Sequence, residues 1–149
     1  MTSTPLQPVQ GMSDLALPEI ELWQRIESRA RDILGLYHFS EVRTPIVEPT
    51  SLFTRSLGDT TDVVQKEMYT FEDRGGRSLT LRPEGTASVI RYVAGLGPEA
   101  LESRLYYIGP MFRAERPQAG RRRQFHQLGA ELFGGASPAA DVGVLAGRQ

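Results

Sequence analysis

Arginine is concentrated between positions 113 and 123, where Arg113, Arg116, Arg121, Arg122 and Arg123 are opposed only by Glu115. Across the chain 16 of the 17 cationic residues are Arg, the exception being Lys66. A guanidinium is a flat, permanently charged fork that grips phosphate or carboxylate through two parallel hydrogen bonds, whereas Lys is a point charge. A GC-rich genome explains an Arg excess over a whole chain but not this clustering. Directly after the cluster, Gln124 to Phe133 reads as a strand. Alternation puts Phe125, Gln127, Gly129 and Glu131 on one face and His126, Leu128, Ala130 and Leu132 on the other. The second set reads as a core face. The first offers a ring, an amide, a glycine and a carboxylate, which suits either a solvated sheet face or the floor of a ligand site. Burying Gln127 or Glu131 without partners would cost several kcal/mol, on the order of 2–7. The neighbouring arginines favour an anionic ligand, and a polyphosphate fits, because its charge must be held by Arg or metal clamps near the reacting groups.

A second candidate is Thr80-Leu-Arg-Pro-Glu-Gly-Thr86, a strand running into a helix. Glu84 sits where a strand end could aim it into a cleft as the partner of an ammonium group. Equally, it is first-turn charge at a helix N-terminus, worth a few tenths of a kcal/mol (about 0.3–1). Thr86 reads as well as a simple N-cap. Other chemistries have no support. There is no Gly-x-x-x-x-Gly-Lys-Ser/Thr loop, no Gly-x-Gly-x-x-Gly after a strand and no Gly-x-Ser-x-Gly elbow. His38 and His126 stand far apart and read as structural, and no ligand set for a tightly held transition metal is visible. With no Cys in the chain, thiolate catalysis, zinc fingers and disulfides are excluded.

The elements that must position these residues follow from periodicity. Pro18 is suited to a helix start, with Glu19 and Glu21 in the first turn. Leu22, Trp23, Ile26, Ala30, Ile33, Leu34 and Tyr37 then recur at helical spacing, predicting an amphipathic helix over 19–37. Ser40 to Val47 alternates and predicts a strand, which Pro45 confines to an edge or an interface. Thr50 to Leu57 predicts a short helix capped by Thr50 or Ser51. Met68–Phe71 and Ser78–Leu81 flank a Gly75-Gly76 turn and predict a hairpin. A helix is expected from Thr86 to Ala94, ended by Gly95. Leu105 to Phe112 pairs with the strand at 124–133 across the Arg-rich loop 114–123, with Leu105, Tyr107, Gly109, Met111 and Arg113 on one face. Pro138 opens a last helix. The order, helix and then mostly adjacent strands, predicts an α+β fold on a mainly antiparallel sheet flanked by helices.

Composition bounds these readings. The 149 residues carry 17 Lys+Arg against 18 Asp+Glu, with 40% hydrophobic and 23% charged residues, the profile of a globular chain. No apolar run approaches the roughly 20 residues of a membrane helix, and Met1 to Asp14 lacks a secretory h-region. The default compartment is the cytoplasm, with no membrane partner.

Leu79–Thr86 (Leu-Thr-Leu-Arg-Pro-Glu-Gly-Thr) and Tyr107–Glu131, ending in Arg-Arg-Arg-Gln-Phe-His-Gln-Leu-Gly-Ala-Glu, closely resemble histidyl-tRNA synthetase. So do Gly11-Met-Ser-Asp14 and Asp62–Phe71, and the similarity runs in order from Gln10 to Leu145. The resemblance implies a class II aminoacyl-tRNA synthetase catalytic core, with residues 1–149 its N-terminal portion. It implies a homodimer, with the segment around Pro45 as the first class motif at the interface. Tyr107–Glu131 corresponds to the second class motif. By that similarity Arg113 holds the ATP α-phosphate and the reacting carboxylate, Glu115 lies near the adenine end, and Phe125 stacks on adenine. Arg121 and Arg123 hold nucleotide phosphates or the tRNA end. Glu84, Thr86, Gln127 and Glu131 surround histidine, with Glu84 facing its α-amino group. The implied activity is histidine–tRNA ligation using ATP and Mg²⁺, with histidine and its tRNA as partners.

Four departures qualify it. Arg122 stands where relatives often carry Tyr, making the loop more basic. A third class motif, an Arg-Gly-Leu-Asp-Tyr-Tyr-type segment and an anticodon-binding domain have no counterpart in the chain, so the 149 residues alone are expected not to turn over. The competing readings are a non-catalytic, synthetase-like regulatory subunit of ATP phosphoribosyltransferase and a bare RNA- or nucleotide-binding module. Retention of Arg113, Glu115, Phe125 and Arg-Pro-Glu-Gly-Thr argues against the regulator, which needs no adenylation groups.

Overall fold

The computed structural model describes residues 5–97, 102–116 and 121–134. The helix expected from Pro138 and the tip of the arginine loop lie outside them. Among the described residues two three-stranded sheets carry the architecture, ordered β1-β5-β6 and β2-β4-β3. The strands are β1 Ser40–Glu41, β2 Val47–Pro49, β3 Tyr69–Glu72, β4 Ser78–Leu81, β5 Arg104–Phe112 and β6 Gln124–Leu132. Helices α1 Glu19–Leu36, α2 Thr50–Leu57 and α3 Thr86–Leu96 flank them, with a π-helical turn at Val63–Glu67. All pairings are antiparallel except β1 with β5. The α+β architecture on mainly antiparallel sheets therefore stands. No helix among the described residues is long and apolar enough to cross a membrane.

Helix α1 starts after Pro18 and ends where His38 takes a positive φ of 61°. There the Phe39 amide returns to the Leu34 carbonyl at 3.0 Å, a left-handed helix stop. That gives His38 a structural role. The turn delivers Phe39 to a cluster with Leu34 and Tyr106, onto which Tyr37, Ile108 and Ala130 pack. On the opposite face of the β5–β6 ribbon, Val89 of α3 packs with Tyr107 and Met111, joined by Leu105, Phe125 and Phe133. Burying each such side chain contributes about 1.5–3 kcal/mol. The ribbon is thus cored on both faces.

The structure corrects four local expectations. The strand foreseen over 40–47 is two strands in different sheets, each at an edge as Pro45 demands. Between them the Thr44 carbonyl accepts from the Arg82 guanidinium (2.9 Å) and the Ile46 carbonyl from the Arg82 amide (2.9 Å), so neither is free to continue one ladder. Helix α2 is not capped by its hydroxyls. Thr50 Oγ1 instead meets Ser78 Oγ at 2.8 Å and Thr80 Oγ1 at 2.9 Å, in a cluster that includes Thr70. Helix α3 runs through Gly95 and stops at Gly97, whose φ is 89°. Finally, the expected core face of β6 is only half covered, with Leu128 48% exposed and His126 exposed beside Trp23 (ring centroids 4.9 Å). The polar face is the one enclosed by α3.

The hairpin forms as expected, pairing Tyr69 with Leu81 and Glu72 with Ser78. Asp73 sets the turn by accepting the Gly75 and Arg77 amides, both at 2.9 Å, while Gly76 takes a φ of 73°. Glu41 on β1 is held between two arginines. Arg43 Nε donates to it at 2.7 Å and Arg31 Nε at 3.3 Å. The Arg43 hydrogen bond is the main cause that pulls the Glu41 carboxyl below its usual 4.5, against burial, with Arg31 adding to it. A depressed folded pKa means that the stabilisation is complete above the unfolded value and is lost as pH falls through the folded one. Glu41→Gln should therefore reduce the fall in Tm seen between about pH 5 and pH 3. Melting curves that fall equally for both proteins would refute this.

Candidate functional site

The Arg82-Pro83-Glu84-Gly85-Thr86 turn leads from β4 into α3 and lies against the polar face of β6. Glu84 is buried (8% exposed) and accepts the Thr86 amide at 2.6 Å and the Ala87 amide at 2.9 Å. Its carboxylate thus satisfies two orphan donors of α3, work the sequence left open between Glu84 and Thr86. Two of its roughly four lone-pair positions remain for another donor. Thr86 Oγ1 instead donates to Glu131 Oε1 at 2.7 Å, and Gln127 Oε1 accepts the Gly85 amide at 3.2 Å. Turn and strand are therefore one connected network, and the polar side chains on β6 have the partners that their enclosure requires.

Tyr107 is the floor beneath this network and was not singled out by sequence reasoning. Its ring fills the space left by two glycines. A Cβ at Gly85 would lie 2.2 Å from Tyr107 Cε2, and one at Gly129 would lie 2.3 Å from its Cζ. The phenol oxygen is 3.4 Å from Thr86 Oγ1. Burial is the main cause that raises its pKa; the Thr86 hydrogen bond opposes this, and Glu131 and Glu84 add to the rise. Register sets the fit, since Gly129 lies directly opposite Tyr107.

Next to the network opens a cleft of about 570 Å³ lined by Val63, Glu67, Arg113, Glu115, Arg121, Arg122 and Phe125. Arg113 is fixed at three points. Its amide donates to the Arg123 carbonyl at 2.9 Å, and its Nε donates to the Pro83 carbonyl at 2.9 Å. Its Cζ lies 5.2 Å from the Phe125 ring centroid, a cation–π distance. The chain's own carbonyl thus aims the guanidinium while engaging only Nε. Arg121 Nε is 3.7 Å from Glu115 Oε2. The Ala114 amide reaches back to the Glu67 carbonyl at 2.7 Å, which explains why the Asp62–Glu67 turn borders the cleft.

The structure therefore brings together Glu84, Thr86, Gln127 and Glu131 in one network, and Arg113, Glu115, Arg121 and Phe125 in the adjoining cleft. Arg123 is the exception. Its Nε donates to the Glu115 carbonyl (3.1 Å) and its Nη1 to the Gln10 carbonyl (3.3 Å), outside the residues that line the cleft. Arg122 occupies the lining instead. Among the described residues no three His, Cys, Asp or Glu side chains gather as metal ligands. Among the described residues Glu67 and Glu115 are the carboxylates bordering the cleft, a number that suits an ion arriving on phosphates, since Mg²⁺ takes one or two carboxylates and fills its shell with phosphate oxygens and water.

Comparison with known proteins gives the family of the chain. The sequence profile described as histidyl-tRNA synthetase matches residues 11–146. The chain belongs to the histidyl-tRNA synthetase family. A histidine–tRNA ligase from Trichlorobacter lovleyi is 60% identical over 139 residues, which is 92% of this chain and 33% of that protein. The crystal structure of apo S. aureus histidyl-tRNA synthetase superposes with a TM-score of 0.79 at 37% identity, over 97% of this chain and 33% of that one. A second solved structure, an ATP phosphoribosyltransferase regulatory subunit/histidyl-tRNA synthetase from Bacillus halodurans C, gives a TM-score of 0.81 at 25% identity and spans 37% of that chain. The chain thus covers about a third of the length of these histidyl-tRNA synthetase relatives, and the fold is that of the class II catalytic core.

Proposed function

We propose that this chain supplies the nucleotide- and histidine-binding half of a histidine–tRNA ligase catalytic centre, the part carrying the first and second class motifs. The observation that carries the proposal is the Arg113 anchorage. A guanidinium held by the Pro83 carbonyl and its own backbone, stacked near Phe125, is a preorganised donor for a developing phosphoryl charge. In the reaction so assigned, a histidine carboxylate oxygen attacks the α-phosphorus of ATP. A new O–P bond forms, the bond to pyrophosphate breaks, and histidyl-adenylate results. A terminal ribose hydroxyl of the tRNA then attacks the acyl carbon, releasing AMP and a proton.

Each residue has a place in that scheme. Arg113 binds the α-phosphate and the incoming carboxylate, Phe125 stacks on adenine, and Glu115 lies at the adenine end. Arg121 supplies charge for the outer phosphates or the tRNA end. Glu84 uses its free lone pairs on the α-ammonium group, while Thr86, Gln127 and Glu131 line the histidine side chain. Mg²⁺ would arrive bound to ATP and would screen phosphate charge, with Glu67 the carboxylate of the cleft that could meet it. Cytoplasmic location and a homodimer built on the segment around Pro45 complete the reading. No side-chain nucleophile is required.

A second reading rests on the Bacillus halodurans neighbour, whose title includes a regulatory subunit. Histidine-dependent exchange of pyrophosphate into ATP by the complete protein separates the two. Exchange is expected. Histidine binding with no exchange at saturating ATP would overturn the ligase assignment in favour of the regulator.

A further inference from the structure

Segment 10–13 overlaps the Gly11–Asp14 stretch, which the functional assignment leaves without a task. In the structure it grips the returning strand of the arginine loop. The Gly11 carbonyl accepts two consecutive amides, Arg123 at 2.8 Å and Gln124 at 3.2 Å. Arg123 Nη1 donates to the Gln10 carbonyl at 3.3 Å, and Arg122 Nη1 donates to Ser13 Oγ at 3.4 Å. From Arg123 the connection continues inward. Its carbonyl accepts the Arg113 amide at 2.9 Å, and its Nε holds the Glu115 carbonyl at 3.1 Å.

Position 11 disfavours any side chain on two independent grounds. Its φ is +84°, and an added Cβ would lie 2.9 Å from Arg123 Cγ and 3.1 Å from Arg123 Cβ. A side chain there meets backbone strain and also pushes on the residue that holds Arg113.

We infer that Gly11 is a positioning residue for Arg113, acting through Arg123, and that Arg123 is a part of this clamp rather than a ligand contact. Three layers stand in series: the 10–13 strap, the Arg123 peptide and guanidinium, and the Arg113–Glu115 edge of the cleft. The strap thereby fixes the guanidinium that the ligase reading assigns to the α-phosphate, so the catalytic part of this inference rests on that reading.

Gly58 provides a matched control. Its φ is +85°, but an added Cβ would meet nothing within 4 Å, so Gly58→Ala carries the backbone strain without touching the loop. In the complete protein, Gly11→Ala is expected to lower kcat for histidine-dependent ATP–pyrophosphate exchange by about 30-fold with KM for histidine little changed, the size of loss that follows a small misplacement of a reacting group. Amide hydrogen exchange at Arg113, Arg123 and Gln124 should accelerate about tenfold or more in that variant, reporting local opening. Gly58→Ala should do neither. Should Gly11→Ala fail to fold, Arg123→Lys keeps the charge but cannot fork to the Glu115 and Gln10 carbonyls. It should accelerate exchange at Arg113 and lower kcat, whereas loss of a phosphate ligand would raise KM for ATP alone. Equal behaviour of the two glycine variants, or wild-type protection at Arg113 in both Gly11→Ala and Arg123→Lys, overturns the clamp. Absence of pyrophosphate exchange in the wild type would instead overturn the ligase reading, and hydrogen exchange would still decide the clamp.

Discussion

In the complete protein, Arg113→Ala is expected to lower the proposed histidine-dependent ATP–pyrophosphate exchange by about 10²–10³-fold, mostly in kcat, as for removal of one preorganised donor to a developing oxyanion. The loss is large because the guanidinium is set before any ligand arrives. Its Nε is engaged by the Pro83 carbonyl and its Cζ sits 5.2 Å from the Phe125 ring, so little reorganisation is needed as charge builds. Arg113→Lys should recover only a small part. A point charge on a flexible stem can neither use the Pro83 carbonyl as a rest nor offer a planar fork to phosphate. An alanine variant that exchanges at the wild-type rate would remove Arg113 from the mechanism.

The largest expected effect on stability is at Arg82. This guanidinium is only 6% exposed, and it joins the two sheets. Nε donates to the Pro110 carbonyl at 2.9 Å, and Nη1 donates to the Thr44 carbonyl at 2.9 Å and to Thr44 Oγ1 at 3.2 Å. Burial lowers its pKa, while nearby Tyr107 and Glu48 act in the opposite sense; an Arg nonetheless stays charged. Arg82→Met relieves the desolvation of that charge but strands two backbone carbonyls that no mutation can remove. At ~1–3 kcal/mol for each stranded acceptor, the net loss should be about 3 kcal/mol. Urea unfolding of the chain should register it as a lower midpoint at unchanged m-value. A midpoint shift no greater than that of Arg77→Met, which removes an exposed hairpin arginine, would refute it. Gly109 belongs to the same joint, because a Cβ there would lie 2.6 Å from Arg82 Nη2.

Much of this is legible in the order of residues alone. Alternation correctly grouped Tyr107 with Met111 along β5 and Phe125 with Gln127 and Glu131 along β6, because a strand has only two faces and the period is fixed by the backbone; the register then set the two groups on a common face. The hairpin and α1 followed from turn glycines and helical periodicity for the same local reason. Where the sequence misled, a distant partner had intervened. Pro45 marked an edge, but Arg82, 38 residues beyond Thr44, split the expected strand in two. Thr50 looks like a cap until Ser78 and Thr80 take its hydroxyl. Polarity suggested that Leu128 and not Gln127 would face the core. The structure encloses Gln127 because the Gly85 amide of a turn 42 residues away satisfies its oxygen.

The sequence by itself determined the chemical character of the site: a run of guanidiniums beside a strand face of ring, amide and carboxylate, and the family that this order of residues marks. Those are properties of residue type and spacing, which a linear chain carries whole. Only the tertiary structure decided which groups remain available. It committed Arg123 to the Glu115 and Gln10 carbonyls, tied Glu84 to the amides of α3, left Arg113 with only its Nε engaged, and placed Tyr107 in the space of two absent Cβ atoms. A hydrogen-bonding group is spent or free according to what lies within about 3 Å of it, and in a folded chain that is set by segments far apart in sequence.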